Sequence, residues 1–174
     1  MFIVYHLFNA LFFFWATESL ADQNNPDLGF LFAELLTIED REAGDLISIE
    51  IWKRWVLVDD PEVSNLLATG IRAMLQNKLV VALSLFDTIV RKGPKVSEGW
   101  NKLATVYYFL GDNGNSILDI QRTLQLKPRH FGAMAGLVWI CLEQGNYEMT
   151  EAVLEKALSV NPFLIDAQGQ LKML

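Results

Sequence analysis

Two histidines and one cysteine are the residues of this 174-residue chain best suited to chemistry. His130 stands in KPRHF. An imidazole there could move a proton or hold a ligand; its other reading is a loop residue bonded to a neighbouring helix end. His6 lies in the apolar first stretch and would leave with it if that stretch is removed. Cys141 has no second cysteine, so neither an internal disulfide nor a metal site on paired thiolates can form, and its placement suits inert core. The acidic pairs Glu39-Asp40 and Asp59-Asp60 fall at expected helix ends, where capping and solvation account for them better than acid–base work. The chain has no G-x-S-x-G, no Gly-rich phosphate loop and no Cys-x-x-Cys. It reads as a non-catalytic protein without cofactor or metal. A small hydrolase or ligand binder using His130 is the enzymatic alternative.

Composition narrows the classes further. Hydrophobic residues make up 52% of the chain, enough for one compact domain or one short array. A formal charge of −7 argues against general nucleic-acid binding, which needs a basic surface. Charge is unevenly placed. Residues 22–62 carry eleven acids and three bases, residues 63–130 four acids and nine bases, and residues 131–174 five acids and two bases. The basic middle could attract an acidic peptide or the chain's own acidic N-terminal part.

Residues 1–21 differ in kind. The run from Phe2 to Ala16 is apolar but for His6 and Asn9, and Ser19-Leu20-Ala21 puts small residues before Asp22. Such a run is shorter than the roughly 20 residues of a membrane span. It reads as a signal peptide cleaved after Ala21, which implies a periplasmic or secreted protein. The leader carries no Lys or Arg, so a retained N-terminal anchor and an ordinary buried helix stay open.

The elements that would position these residues repeat. Pro94, Pro128 and Pro162 are spaced by 34, and the same step carries Gly70 to Ala104 to Val138 and Phe86 to Ile120 to Leu154. It also carries Asn77 to Gly111 to Gly145. In WNKLATVYYFLGD, Trp100, Leu103, Ala104 and Tyr107 fall on one helical face, with Gly111 as the stop. Through Trp100, Leu103, Ala104, Tyr107, Gly111, Ser116, Ile120 and Pro128, residues 97–130 resemble the tetratricopeptide repeat. Residues 131–164 and 63–96 resemble it more loosely. The resemblance implies an all-α, right-handed α-solenoid of helix-turn-helix units, with repeats at 63–96, 97–130 and 131–164. Small residues at 70, 104 and 138 let paired helices approach, large ones at 86, 120 and 154 fill between units, and each Pro opens the next helix. Tyr107 is expected in the core.

Around the repeats, LGFLFAELL (28–36) and ISIEIWKRWVLV (47–58) read as two further helices within 22–62, a degenerate repeat capping the N-terminal end of the stack. Asp60, Pro61 and Glu62 form a helix start. Asn113-Gly114 reads as the turn between two helices, and the segment after Pro162, with 165–174 as a C-terminal cap, reads as a short closing helix.

The resemblance also implies a function. In such arrays the first helix of each unit lines the concave face, which by register presents Met74, Asn101, Lys102, Thr105, Tyr108, Phe109, Trp139 and Leu142. Aromatic and Met side chains beside Asn and Lys suit an extended peptide or a partner helix. The set does not reproduce a basic clamp for a C-terminal carboxylate. The chain resembles small exported bacterial proteins of this kind, implying a scaffold or assembly adaptor in the cell envelope whose partner is a protein or peptide. Two alternatives stay open: a membrane-tethered adaptor if the leader is kept, and a groove filled by the chain's own N-terminal helices or C-terminal tail.

Overall fold

The computed structural model describes residues 26–165, so the expected leader and all of the C-terminal cap except Ile165 lie outside the described residues. Among the described residues there are eight helices. They are α1 (Pro26–Thr37), α2 (Arg41–Val56), α3 (Pro61–Leu75), α4 (Leu79–Lys92), α5 (Ser97–Phe109), α6 (Asn113–Leu126), α7 (Phe131–Glu143) and α8 (Tyr147–Val160). None is long and apolar enough to cross a membrane.

Local chemistry sets the boundaries. Asp60 Oδ1 accepts the Glu62 and Val63 N–H groups at 2.8 and 3.2 Å, and Pro61 sits at the first helical position. Asp40 caps α2 through the Ala43 N–H at 2.8 Å, so that helix starts six residues before the Ile47 expected from the apolar stripe. Such a cap contributes about 1 kcal/mol. Both acidic pairs therefore end in a capping residue.

The period is written most plainly in the turns inside each pair. Asn77, Gly111 and Gly145 adopt φ of 57°, 78° and 68°, the left-handed region that glycine enters at no steric cost. Around them the helix end closes in the same way each time. Lys78, Asp112 and Asn146 donate their N–H to Ala73, Tyr107 and Cys141 carbonyls at 2.9, 2.9 and 3.0 Å, a Schellman closure. The reversal at the middle unit thus uses Leu110 to Asp112. Asn113 and Gly114, expected as the turn, are instead the first residues of α6, capped by Asp112 Oδ1 accepting the Asn115 N–H at 3.1 Å.

The prolines also stand differently from expectation. Helices α5 and α7 begin three residues after Pro94 and Pro128, not at them. Val96 donates to the Gly93 carbonyl at 2.9 Å, His130 to Lys127 at 3.0 Å and Leu164 to Asn161 at 3.3 Å. Each proline thus occupies the second position of a four-residue turn, where its fixed φ is favoured. Phe163 and Leu164 belong to the last of these turns and not to a closing helix.

Paired helices meet through small residues. A Cβ on Gly70 would lie 2.6 Å from Phe86 Cε1, so α3 and α4 close over a wholly buried Phe86. At the equivalent point Ser116 Oγ donates to the Ala104 carbonyl at 2.8 Å. Ile120 is buried and its Cδ1 reaches within 3.6 Å of a Cβ position on Gly136, joining the middle unit to the third. Tyr107 is only half-buried at the edge of the α3–α5 cluster.

The α1–α2 hairpin, expected to cap the stack beside α3, lies against the second and third units instead. Trp55 packs on Phe131 with ring centroids 4.8 Å apart, Phe32 on Phe131 at 6.4 Å, and Phe163 fills the space above Gly44. Arg41 Nη1 donates to the Ile165 carbonyl at 2.7 Å, and Asn161 Nδ2 to Ser48 Oγ at 3.0 Å. The physical reason is the α2 stripe: Ile47, Ile51 and Trp55 share one hydrophobic core with Phe131, Met134 and Leu137 of α7. Its trailing residues, Val56 and Val58, reach the α3–α5 cluster.

Candidate interaction groove

Helices α3, α5 and α7 are the first helices of their units, and their facing sides bound a cavity of about 560 Å³. Six of the eight residues expected on this face line it: Met74, Asn101, Thr105, Tyr108, Phe109 and Trp139. Each projects from the α-helical register that places every third or fourth residue on one side. The small residues Ala135 and Gly136 of α7 keep its floor open down to Ile120. Asn77 and Leu79 also reach the wall from the α3–α4 turn. A reading confined to first-helix positions misses them, although Asn77 shares its register with Gly111 and Gly145.

Lys102 and Leu142 stand elsewhere. Leu142 is 42% exposed at the C-terminal end of α7, outside the cavity lining. Lys102 is buried beneath α2, its Nζ 4.4 Å from the Trp52 ring centroid and 3.3 Å from Glu98 Oε1. The hairpin thus fills one half of the inner face and leaves the other open. Gly132 marks the join: a Cβ there would lie 2.6 Å from Trp52 Cζ3, and the residue also lines the cavity.

Under the hairpin lies a buried polar cluster. The Ala133 N–H donates to His130 Nδ1 at 3.2 Å, so the ring proton is on Nε2, which donates to Glu98 Oε2 at 3.1 Å. Asn101 Nδ2 donates to Glu98 Oε1 at 3.4 Å. Burial pushes the Glu98 carboxyl up; the Lys102 charge and the His130 bond outweigh it, and the group titrates below its ordinary value. Trp55 stacks on His130 at 4.1 Å with the rings 18° apart. Both imidazole nitrogens are committed to helix capping and to Glu98, and the ring is fully buried. Cys141 is buried too, and burial alone pushes its thiol up to about 11. Among the described residues no three His, Cys, Asp or Glu side chains converge as metal ligands would.

The open half has a different character. Tyr108 donates its hydroxyl to Glu143 Oε1 at 2.6 Å, tying α5 to α7 at the rim. Burial and the Glu143 carboxylate push that phenol up to about 12. Trp139 Nε1 is itself buried and has no hydrogen-bond partner among the described residues. Leu75 and Phe109 carry the apolar lining to the ends of α3 and α5, where they are 79% and 47% exposed. The cavity lining carries no formally charged side chain. It offers apolar area with a few neutral hydrogen-bonding sites, which is the composition of a recognition surface.

Comparison with known proteins agrees with this geometry. A family model for the tetratricopeptide repeat matches residues 132–163. A TPR repeat-containing protein of Rhizobium etli is 30% identical over 144 residues, which are 83% of this chain and 71% of that protein. The crystal structure of MamA is similar in fold, with a TM-score of 0.54 at 20% identity over 80% of each chain. The three helix pairs, their left-handed turns at 34-residue spacing and the Rhizobium relative together assign this chain to the tetratricopeptide-repeat family.

Proposed function

We propose that this protein is a non-catalytic adaptor that holds a protein partner in the open half of its concave groove. The observation that carries the reading is the 560 Å³ cavity with Met74, Tyr108, Phe109 and Trp139 on its walls. Large apolar and aromatic side chains left accessible in a concave site are the usual anchors of protein recognition. The family favours the same conclusion, because stacked helix pairs present an extended inner surface suited to another chain. His130, the one residue that invited a catalytic role, caps a helix inside the core.

The place of action is proposed from the leader. Its apolar run and the small residues before Asp22 fit export, and with it a scaffold or assembly role in the cell envelope. The mass of the mature N-terminus tests that: a chain starting at Asp22 supports export, and a chain starting at Met1 makes the protein a membrane-tethered adaptor or removes the export reading.

The groove is tested by crosslinked affinity capture. Intact protein is compared with a Tyr108→Ala, Trp139→Ala form whose helical circular dichroism matches it. Partners captured by the first and lost with the second support the groove. Equal capture by both moves the binding surface elsewhere on the solenoid.

A further inference from the structure

The open half of the inner face is deep as well as apolar. Its cavity is lined from α3, α5 and α7, and also by Ser116 and Ile120 of α6, both buried. It therefore passes between two first helices and ends on the second helix behind them. Small side chains make the passage: Ala104 on α5, and Ala133 and Gly136 on α7. A Cβ on Gly136 would meet only Ile120 Cδ1, at 3.6 Å. A body lying across the face covers such a cleft without filling it, and an unfilled gap forfeits contact energy along its walls.

The hydroxyl protons of the wall are already spent inside the protein. Ser116 Oγ donates to the Ala104 carbonyl at 2.8 Å, Thr105 Oγ1 to the Asn101 carbonyl at 2.9 Å, and the Tyr108 hydroxyl to Glu143 at 2.6 Å. Asn101 Nδ2 is turned to Glu98 at 3.4 Å, and the Trp139 indole nitrogen is buried. A main chain entering this cleft brings an N–H and a carbonyl with each residue, and burying them unpaired costs free energy.

A hydrocarbon chain meets each of these conditions. It brings no donor or acceptor, it is thin enough to reach Ile120, and every methylene it buries adds to affinity. Its head must stay outside. None of the described lining residues is charged, and Lys102, the cation of α5, is held by Glu98 beneath Trp52. A carboxylate or phosphate on the end of the chain therefore finds no counter-charge in the lining. A neutral ester or amide carbonyl suits it better, because the exposed Asn77 carboxamide stands in the lining as a donor. Such a linkage is the one through which a protein carries an acyl chain.

We infer that the groove holds an acyl chain that the partner protein carries through a neutral ester or amide linkage. This deepens the adaptor reading above and rests on it, and the test separates the two. The probes are a soluble Gly/Ser peptide amide acylated at its N-terminus with saturated chains of increasing length, the same peptide bare, and the free fatty acids. Each is titrated calorimetrically into the intact protein. The acylated peptides are expected to tighten by about threefold to fourfold per added methylene and to level off once the cleft is full. The bare peptide should bind about a hundredfold more weakly or worse, and each free acid about tenfold more weakly than its matching acyl peptide. Two variants with unchanged helical circular dichroism locate the effect. Gly136→Leu fills the floor and brings the plateau to shorter chains; Thr105→Lys puts a charge in the wall and weakens every chain by about tenfold or more. Affinity independent of chain length, or a rise that both variants keep, overturns the inference. Partners still lost with Tyr108→Ala, Trp139→Ala in the capture experiment then leave the adaptor reading standing alone. Bare peptide as tight as its acylated form also overturns it, as do free acids as tight as the acyl peptides, which would make the cleft a site for free lipid.

Discussion

Position 119 shows how one residue can oppose its own fold. Steps of 34 along the chain place Leu85 and Val153 at the equivalent points, and Asp119 stands between them at 8% exposure. Its Oδ2 has no hydrogen-bond partner among the described residues. Burial, with the Asp87 carboxylate adding to it, pushes the group up to about 7. Asp87 is itself paired with Arg91, and no cation offsets the rise at Asp119. Folding therefore favours the protonated acid. Stability falls as pH rises from the unfolded value near 4 through about 7, and is flat above that. Asp119→Asn should stabilise the protein by about 2 kcal/mol at pH 8 and leave it unchanged near pH 3. Urea melts at those two pH values check the sign, and an increment independent of pH would mean that Asp119 is not protonated on folding. Glu98 is the opposite case. More deeply buried, it has Lys102, His130 and Asn101 around it and stays ionised at a lowered value. The sequence distinguished neither acid, because both depend on which side chains arrive from other helices.

At the scale of elements, the repeat period proved more informative than any one helix boundary. The recurrence of Asn77, Gly111 and Gly145 fixed three left-handed helix ends, since the turn geometry requires φ near +60° and few residues accept it. Gly111→Ala should cost about 1–2 kcal/mol through that conformation alone, because nothing lies within 4 Å of an added Cβ. Phe86→Ala should cost about 3–5 kcal/mol, because Phe86 is wholly buried against Gly70. Tyr107→Ala should cost less, about 1–2 kcal/mol, as Tyr107 is only partly buried at the edge of its cluster. Chemical denaturation of the three variants gives the order directly; Tyr107→Ala as damaging as Phe86→Ala would place Tyr107 in the core after all. Boundaries were less legible. Pro94 and Pro128 were legible as helix breakers, but whether a proline starts a helix or sits in the preceding turn depends on three residues of chain direction that composition does not record. Asp112 likewise took the capping role and drew Asn113 and Gly114 into α6.

Across the whole molecule, the N-terminal hairpin decides how much groove is left. Leu28, Phe32 and Trp55 share one core with Phe131, Met134 and Leu137, so the hairpin is part of the solenoid's interior. Trp55→Ala should therefore cost about 3–5 kcal/mol. Amide exchange should rise together in α1, α2 and α7, and less in α3 and α4, whose core is a separate cluster. Exchange rising in α1 and α2 alone would make the hairpin an appendage and return the covered half of the face to the groove.

The sequence by itself determined the unit and its multiplicity. Side chains recurring in phase every 34 residues specify two antiparallel helices with a close contact at Gly70 or Ala104, because that contact is local to each unit. It also determined six cavity positions, Met74, Asn101, Thr105, Tyr108, Phe109 and Trp139, since helical register fixes which way each residue faces. Where α2 would lie was not local. Its apolar stripe could have packed on α3 as a further unit or across α5 and α7, and a hydrophobic stripe carries no address. Only the tertiary structure settled this, through Trp52 on Gly132 and Lys102, and Trp55 on His130. That one choice buried Lys102, covered His130 with the Trp55 ring and divided the inner face into a filled half and an open, uncharged one.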